Sequence, residues 1–311
     1  MHLKQRVRDL VSAGFGRRKI AAELGITEYK VRAIIHSIVT DKLREQPTND
    51  FSGRLRVNRT RSNKEKKKVA VVLSDIHIPY HDRDALSIAL AYTKDIAPDT
   101  IVLNGDIVDF YAVSRFQKDP MRIDTLQSEI DETRALLTLL RDDHPKADII
   151  YVMGNHEIRL EKFLIERASA LTSLRCLSLD DLFGFSSNDI QFSDTSTMLG
   201  NLEVTHGEYA RKNPGSSVRG HFDKSASSVL IGHVHKLNTS RYTNNWGVHT
   251  IIENGCLCGL SPEYSRKNNW QQGFSVVYYS PKNGEFIVKQ HNIVSGVMIT
   301  EDKVYQCHGK D

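Results

Sequence analysis

Apolar residues along the chain follow two different patterns, which meet near residue 69. Before this point they recur at helical spacing, and Leu10, Val11 and Phe15 give a first helix its apolar side. After it, short apolar runs alternate with amphipathic segments, which is typical of strands and helices packed in layers. The pattern therefore predicts a small all-α domain at residues 1–40 and an α/β domain at residues 69–311.

The α/β prediction rests on the order of the elements. The early part of the domain alternates strands with helices, and the later part is a run of strands. Strands are predicted near residues 69–73, 100–103, 148–153, 202–205, 228–231, 249–252, 274–279 and 286–290. Helices are predicted near residues 84–96, 123–141 and 158–168.

Residues 17–35 carry the pattern of a helix-turn-helix. Ala21 is small where two helices would cross, Gly25 lies where the turn requires a positive φ, and Thr27 is a suitable N-cap for the second helix. This helix would act as a recognition helix on DNA. The side chains that it would present outward include Tyr29, Lys30 and Arg32. The alternative is a helical hairpin that serves only packing or protein contact.

The net charge of +4 is unevenly distributed. Residues 1–68 hold 18 Lys/Arg against 7 Asp/Glu, and the remaining 243 residues hold 24 against 31. A basic arm on an acidic domain indicates a polyanionic partner, and beside a helix-turn-helix we expect DNA. Residues 41–68 have no sustained apolar period, so we interpret them as a basic linker. In one interpretation Arg54 and Arg56 contact phosphates of the DNA. In the other, the linker is only a solvated tether.

Five short motifs of potential metal ligands each follow a predicted strand, where α/β folds place their active loops. They are Asp75-x-His77, Gly105-Asp106-x-x-Asp109, Gly154-Asn155-His156-Glu157, His206-Gly207 and Gly232-His233-x-His235. Because side chains i and i+2 lie on one face of an extended chain, Asp75 and His77 can point at one centre. The same reasoning applies to His233 and His235. Carboxylate, amide and imidazole ligands without thiolate fit Mn²⁺, Fe or Zn²⁺.

With these motifs the sequence resembles the calcineurin-like metallophosphoesterase superfamily over most of residues 69–240. The resemblance implies a β-sandwich flanked by helices, with two divalent metal ions at the strand ends. Of the metals that fit these ligands, we expect Mn²⁺. It implies that one ion is held by Asp75, His77 and His235, and the other by Asn155, His206 and His233. The resemblance further implies that Asp106 bridges the ions, that His156 is the catalytic histidine, and that Asp109 orients His156.

The second motif departs from the protein Ser/Thr phosphatases of this superfamily, which continue after its last Asp with Arg-Gly. Here Phe110 and Tyr111 follow Asp109, which argues against a protein phosphatase. The order of the motifs is similar to the nuclease branch, which includes exonucleases of double-strand-break repair. Residues 109–119 and 269–273 look similar to metallophosphoesterases encoded by bacteriophages. We expect Tyr111 and Arg211 to contact the substrate.

Three functions remain open. The first is a DNA nuclease in which the basic helix-turn-helix holds DNA. The second is a phosphatase or phosphodiesterase for a small phosphoester or nucleotide, with the N-terminal domain regulatory. The third is a DNA-binding regulator with an inactive catalytic domain. The complete ligand set and His156 argue against the third, and the basic arm favours the first.

The remaining features bear on compartment and assembly. No apolar run approaches the roughly 18 residues of a membrane span or resembles the centre of a signal peptide, so we expect no membrane partner. Cys256-x-Cys258 is too tight for an ordinary C-x-x-C metal site. We interpret the cysteines as reduced thiols of a cytoplasmic protein, in a bacterial or phage-infected cell. A helix-turn-helix is compatible with a dimer.

Overall fold

The computed structural model describes residues 3–45, 67–115, 124–245, 247–262 and 268–307. Contacts divide the chain into two compact units, Met1–Arg61 and Ser62–Asp311. Most of the predicted linker, with Arg54 and Arg56, lies outside the described residues. Among the described residues no helix is both long and apolar enough to cross a membrane.

The N-terminal unit is a small helical unit, as the apolar spacing predicts. Its helices are α1 (Leu3–Ser12), α2 (Arg17–Leu24) and α3 (Glu28–Glu45). Gly25 ends α2 in the left-handed region with φ 63°, and the Thr27 hydroxyl accepts a hydrogen bond from the Lys30 N–H at 3.3 Å. These contacts set the turn between α2 and α3. Side chains of all three helices form one core, which includes Val7, Ile20, Ala21 and Val31.

The larger unit contains both strands and helices. In chain order its strands are β1 (Lys68–Leu73), β2 (Thr100–Asn104), β3 (Asp148–Val152), β4 (Ile190–Ser193), β5 (Ser196–Leu199), β6 (Leu202–Thr205), β7 (Ser228–Ile231), β8 (Leu237–Asn244), β9 (Gly247–Asn254), β10 (Gln272–Tyr279), β11 (Phe286–Ile293), β12 (Val297–Ile299) and β13 (Val304–Gln306). Its helices are α4 (Arg83–Ile96), α5 (Leu126–Asp143), α6 (Ile158–Arg167), α7 (Leu179–Phe183) and α8 (Ser216–Ser225).

Most of these strands belong to two sheets. One has the order β11-β10-β1-β2-β3-β4, in which β1 to β4 are parallel. The other has the order β5-β6-β7-β9-β8, in which β6, β7 and β9 are parallel. Strands β12 and β13 form a separate antiparallel pair. The parallel central strands let several carboxyl ends meet at one edge of each sheet.

The two sheets pack face to face. Val72 and Val102 of the first sheet share a buried apolar cluster with Val204 and Leu230 of the second. The outer face of the first sheet packs against α4, α5, α6 and α7, and that of the second packs against α8. Because each sheet buries both faces, the central strands β1, β2 and β7 are mostly apolar. The predicted β-sandwich flanked by helices is confirmed.

Every predicted strand is present, but some elements were not predicted. Strand β8 carries the polar sequence LNTSRYTN and has no fully buried side chain, because it lies at a sheet edge. An edge strand needs little apolar surface, so periodicity does not reveal it. Strands β4 and β5 have only four residues each, and helix α8 contains Gly220 and several serines. Such short or polar elements give a weak pattern.

Candidate metal centre

Residues of the five motifs meet where the two sheets present the carboxyl ends of their parallel strands. Asp75 follows β1 and Asp106 follows β2 in the first sheet, whereas His206 follows β6 and His235 follows β7 in the second. The Asp106 and His206 side chains approach to 3.2 Å, and so do those of Asp75 and His235. The cluster therefore lies across the junction of the sheets, and most of its side chains are buried.

His206 is the centre of one half of the cluster. Its Nε2 lies 3.2 Å from Oδ2 of Asp106 and 3.2 Å from Oδ1 of Asn155. Donor atoms of His206, Asp106 and His233 lie within 4.8 Å of one another, close enough to hold one ion. His206 Nδ1 lies 2.9 Å from the Asn104 carbonyl oxygen, which can only accept a hydrogen bond. Nδ1 therefore donates, and this leaves Nε2 as the atom that faces the potential ion.

The electrostatics of His206 also fit a cation. Burial lowers the pKa of its imidazole, but the negative charge of Asp106 outweighs this and raises the pKa to about 10. Asp75 contributes in the same direction. A buried position that favours a positive charge this strongly also favours a divalent ion.

The other half of the cluster pairs two histidines. Nε2 of His77 and Nε2 of His235 lie 3.1 Å apart, and Nε2 of His235 is 3.2 Å from Oδ1 of the fully buried Asp75. Two ring nitrogens that face one another suit a shared cation, since both can turn their lone pairs toward it. Oδ2 of Asp106 lies 3.9 Å from Nε2 of His77. Asp106 thus stands between the two halves, where the predicted bridging ligand belongs.

Asp109 contacts two histidines. Its Oδ1 lies 3.0 Å from Nδ1 of His156 and 3.2 Å from Nδ1 of His77. Burial raises the pKa of Asp109, but hydrogen bonds from the two histidines outweigh this and hold it well below its usual range. The structure therefore brings Asp109 and His156 together, as predicted, and adds a contact with His77 that was not predicted.

Arg159 is a second neighbour of His156 that sequence reasoning missed. Its Nη2 lies 2.7 Å from Nε2 of His156, and its Nη1 donates to the Asp109 carbonyl oxygen at 2.8 Å. A guanidinium can only donate, so Nε2 of His156 accepts in this arrangement. The residue lies three positions after His156 in the first turn of α6, and an arginine there gives no recognisable signal in the sequence.

The backbone of the cluster is not extended. Five of the predicted ligands have φ in the left-handed region, at Asp75 (54°), His77 (55°), Asp106 (52°), His233 (67°) and His235 (55°). The extended-chain reason for pairing residues i and i+2 is therefore wrong, although both pairs do face the cluster. Residues other than glycine rarely adopt this backbone conformation. Its occurrence at several residues of one cluster is typical of functional sites.

Two glycines allow the loops to approach one another. Gly105 has φ 76°, and a Cβ there would lie 2.6 Å from Nδ1 of His206. A Cβ at Gly154 would collide with the backbone nitrogen of Asp106 and would lie 2.7 Å from a Glu157 oxygen. Both positions therefore require glycine.

Glu157 fixes the loop that carries Asp106. Its carboxylate is buried and accepts hydrogen bonds from the N–H groups of Asp106 at 3.0 Å and Ile107 at 2.9 Å. It also accepts from the Gly154 N–H at 2.8 Å and the Tyr151 hydroxyl at 2.7 Å. Sequence reasoning assigned Glu157 no role, although an acid between two apolar segments was a visible signal.

Of the two residues predicted to contact substrate, one lies on a loop and the other in the 3-10 helix Tyr111–Val113. Arg211 is on the loop between β6 and α8, where its Nη1 donates to the Ser216 carbonyl oxygen at 3.1 Å. Tyr111 follows the β2 loop, and its ring centroid is 6.0 Å from that of Tyr80. In the N-terminal unit the predicted DNA-contacting side chains on α3 are exposed, namely Tyr29, Lys30 and Arg32. Contacts of all these residues with substrate stay predictions.

Known proteins resemble this chain in sequence. The calcineurin-like phosphoesterase family model matches residues 69–237, more than half of the chain. The Gene 54 proteins of Mycobacterium phages L5 and D29 are 27% and 25% identical over 232 and 231 residues, which cover 68% of this chain and 88% of each relative.

A comparison with solved structures gives matches of low TM-score, two of which are these. Vacuolar protein sorting 29 from Cryptosporidium parvum is 12% identical with TM-score 0.41, over 78% of this chain and 99% of that one. YfcE, a phosphoesterase from E. coli, is 14% identical with TM-score 0.33, over 71% and 97%. From the match to its family model, the chain belongs to the calcineurin-like phosphoesterases, metal-dependent phosphoester hydrolases that usually bind two divalent ions.

Proposed function

We propose that this phosphoesterase is a DNA nuclease that cuts phosphodiester bonds at the metal centre and holds DNA with its N-terminal unit. The observation that carries the proposal is the exposed face of α3, where Tyr29, Lys30 and Arg32 lie together in the most basic part of the chain. A hydrolase for a small phosphoester has no evident use for such a face. In this proposal residues 1–40 form the DNA-binding domain, residues 41–68 the basic linker and residues 69–311 the catalytic domain.

Within this proposal, one ion would be held by Asp75, His77 and His235, and the other by Asn155, His206 and His233, and Asp106 would serve both. The orientation of the imidazoles supports these assignments, since His206 and His77 each have an acceptor at Nδ1 and turn Nε2 inward. We propose Mn²⁺ for both ions, because oxygen and imidazole ligands suit it. When bound, two such ions neutralise phosphoryl charge and activate water.

His156 is the proposed catalytic histidine. Asp109 accepts from its Nδ1, which fixes the orientation of the ring. Nε2 of His156 lies 3.6 Å from Oδ2 of Asp106, so it borders the cluster where a leaving oxygen could take a proton. Arg159 occupies the space next to Nε2 and would have to turn away, or contact the phosphate itself, when substrate enters.

The N-terminal unit supplies the proposed DNA contacts. Lys30 and Arg32 are exposed within the first turns of α3, and Tyr29 is 82% exposed, far more than a tyrosine that serves packing. Cations at the start of a recognition helix contact phosphates and base edges in the major groove. The phage relatives support a place of action in the cytoplasm of an infected bacterium.

The test is cleavage by purified protein in Mn²⁺ of supercoiled plasmid and of labelled single- and double-stranded oligonucleotides. Bis-p-nitrophenyl phosphate serves as a small substrate in parallel. We expect the wild type to cut DNA and His156→Ala to lose cleavage of both substrates. If DNA stays intact while the small ester is hydrolysed, the nuclease proposal fails and the enzyme acts on small phosphoesters.

A second experiment tests how much the N-terminal unit contributes to DNA binding. The Lys30→Ala/Arg32→Ala variant should bind DNA more weakly, and the slope of log affinity against log salt should shrink by about 1–2, since each lost phosphate contact removes about one unit. Its hydrolysis of the small ester should not change. The matched control is Lys146→Ala/Arg175→Ala, which removes the same charge from exposed positions of the larger unit.

A further inference from the structure

The segment Cys256-Leu257-Cys258 borders the candidate metal centre. It follows β9, and the Leu257 N–H donates to the carbonyl oxygen of Asp75 at 3.1 Å. The Cys256 N–H donates to the carbonyl oxygen of Gln271 at 3.1 Å. Both cysteines are buried. Their thiols are therefore held in fixed positions within the fold.

The Cys258 thiol contacts one of the proposed ligands. Its Sγ lies 3.7 Å from Nδ1 of His235, within hydrogen-bond range for sulfur. The other ring nitrogen of His235, Nε2, faces Asp75 and His77. Donor atoms of His77, His235 and Cys258 lie within 4.8 Å of one another, so the thiol borders the cluster. Its contact is with Nδ1, and from there it can orient the imidazole while Nε2 faces the ion.

The other proposed histidine ligands show why this contact matters. His206 has a carbonyl oxygen at Nδ1, 2.9 Å away, and His77 has a carboxylate oxygen at 3.2 Å. Each acceptor keeps the proton on Nδ1 and leaves Nε2 free to bind an ion. At Nδ1 of His235 the corresponding neighbour is the thiol of Cys258. The Trp270 ring lies edge-on to His235 at 4.1 Å between centroids and limits its rotation.

We propose that Cys258 is a positioning residue that accepts the Nδ1–H of His235 and so presents Nε2 to the metal. The proposal rests on His235 being a ligand, but it does not depend on the substrate. The neighbouring Cys256 thiol donates to the carbonyl oxygen of Gln271 at 3.5 Å, which helps to anchor the segment that carries Cys258. Cys258 thereby gains a role that the Cys-x-Cys spacing alone did not indicate.

The test measures metal binding by the full-length, metal-free protein. Calorimetry with Mn²⁺ gives affinities, and titration with Co²⁺ gives the visible absorption spectrum of the ligand field. Cys258→Val fills the space but offers no acceptor, so we expect about 10–100-fold weaker binding to one of the two sites and an altered Co²⁺ spectrum. Cys258→Ser keeps an acceptor and should restore most of the affinity.

Controls separate this proposal from its alternatives. Cys176→Ala, at an exposed cysteine, should bind metal like the wild type. Circular dichroism checks folding, and if Cys258→Val does not fold, Cys258→Ala is compared with Cys258→Ser in its place. Wild-type affinity and spectrum in a folded Val or Ala variant would overturn the proposal. A sulfur-to-cobalt charge-transfer band in the wild type would also overturn it, because Cys258 would then be a ligand.

The result is independent of the proposed nuclease activity. If the wild type binds two ions but leaves DNA intact, the substrate proposal fails and the role of Cys258 is still decided by the affinities. If the wild type binds no divalent ion, the ligand assignment fails and the role of Cys258 fails with it.

Discussion

The carboxylate of Glu157 accepts a hydrogen bond from the backbone N–H of Asp106 at 3.0 Å, so the residue after the proposed catalytic histidine fixes the loop of the proposed bridging ligand. In Glu157→Gln the side-chain amide nitrogen would face N–H donors and could not accept from them. We expect metal affinity to fall about 10–100-fold, as for other changes in residues that support ligands. Calorimetry with Mn²⁺ measures this, with Glu161→Gln on the exposed face of α6 as control. Equal affinity in both variants would contradict the role of Glu157.

Gly154 should not tolerate even a methyl group. A Cβ there would collide with the backbone nitrogen and a carboxylate oxygen of Asp106, which cannot move without displacing the cluster. We expect Gly154→Ala to lose hydrolysis of bis-p-nitrophenyl phosphate and to bind metal weakly. Gly16→Ala is the control, because a Cβ at Gly16 would meet nothing within 4 Å and its φ of −74° suits alanine. An active Gly154→Ala enzyme would show that the loops are less tightly packed.

His156→Asn should separate chemistry from metal binding. Asparagine cannot transfer the proton, so we expect kcat to fall about 10²–10⁴-fold, the usual contribution of a general acid. Metal affinity should stay within a few-fold of the wild type, since His156 is not a proposed ligand. Steady-state kinetics and calorimetry on the same preparation decide the matter. A large loss of metal affinity would make His156 a ligand instead.

Glu129 gives a pH dependence outside the metal centre. It is buried on α5, its Oε1 lies 3.4 Å from the Ala112 N–H, and its Oε2 has no hydrogen-bond partner among the described residues. Burial, together with the charge of Asp109, raises the pKa of Glu129 to about 7. Between its ordinary value near 4.5 and about 7, the folded protein therefore keeps a proton that the unfolded chain has lost.

The sign of the effect follows from this difference in bound protons. Glu129 stabilises the folded state fully below about pH 4.5, and this contribution disappears as the pH rises to about 7, a loss of about 2–3 kcal/mol. Glu129→Gln stays neutral, so its free energy of unfolding should fall less over that window. Urea unfolding at several pH values measures both proteins. Parallel curves would contradict the prediction.

The sequence predicted which residues come together in the candidate site, but it did not predict the backbone conformation that brings them together. Asp106 and His206 could be paired because acids and histidines at the ends of parallel strands converge, whatever the loops do in detail. The left-handed backbone at Asp75 and His235 could not be predicted, because tertiary packing imposes it against the local preference of the chain. The contact of Arg159 with His156 likewise depends on where α6 is placed by the core beneath it.

The origin of the proposed ligands in both sheets has a mechanical consequence. Asp106 comes from the first sheet and His206 from the second, so an ion bound between them would fasten the two layers of the sandwich together at this edge. Sliding of one sheet over the other at this edge would then require bonds to the ion to break. Occupancy of the centre would therefore set how rigidly the layers are joined, and the melting temperature would rise with the concentration of free metal.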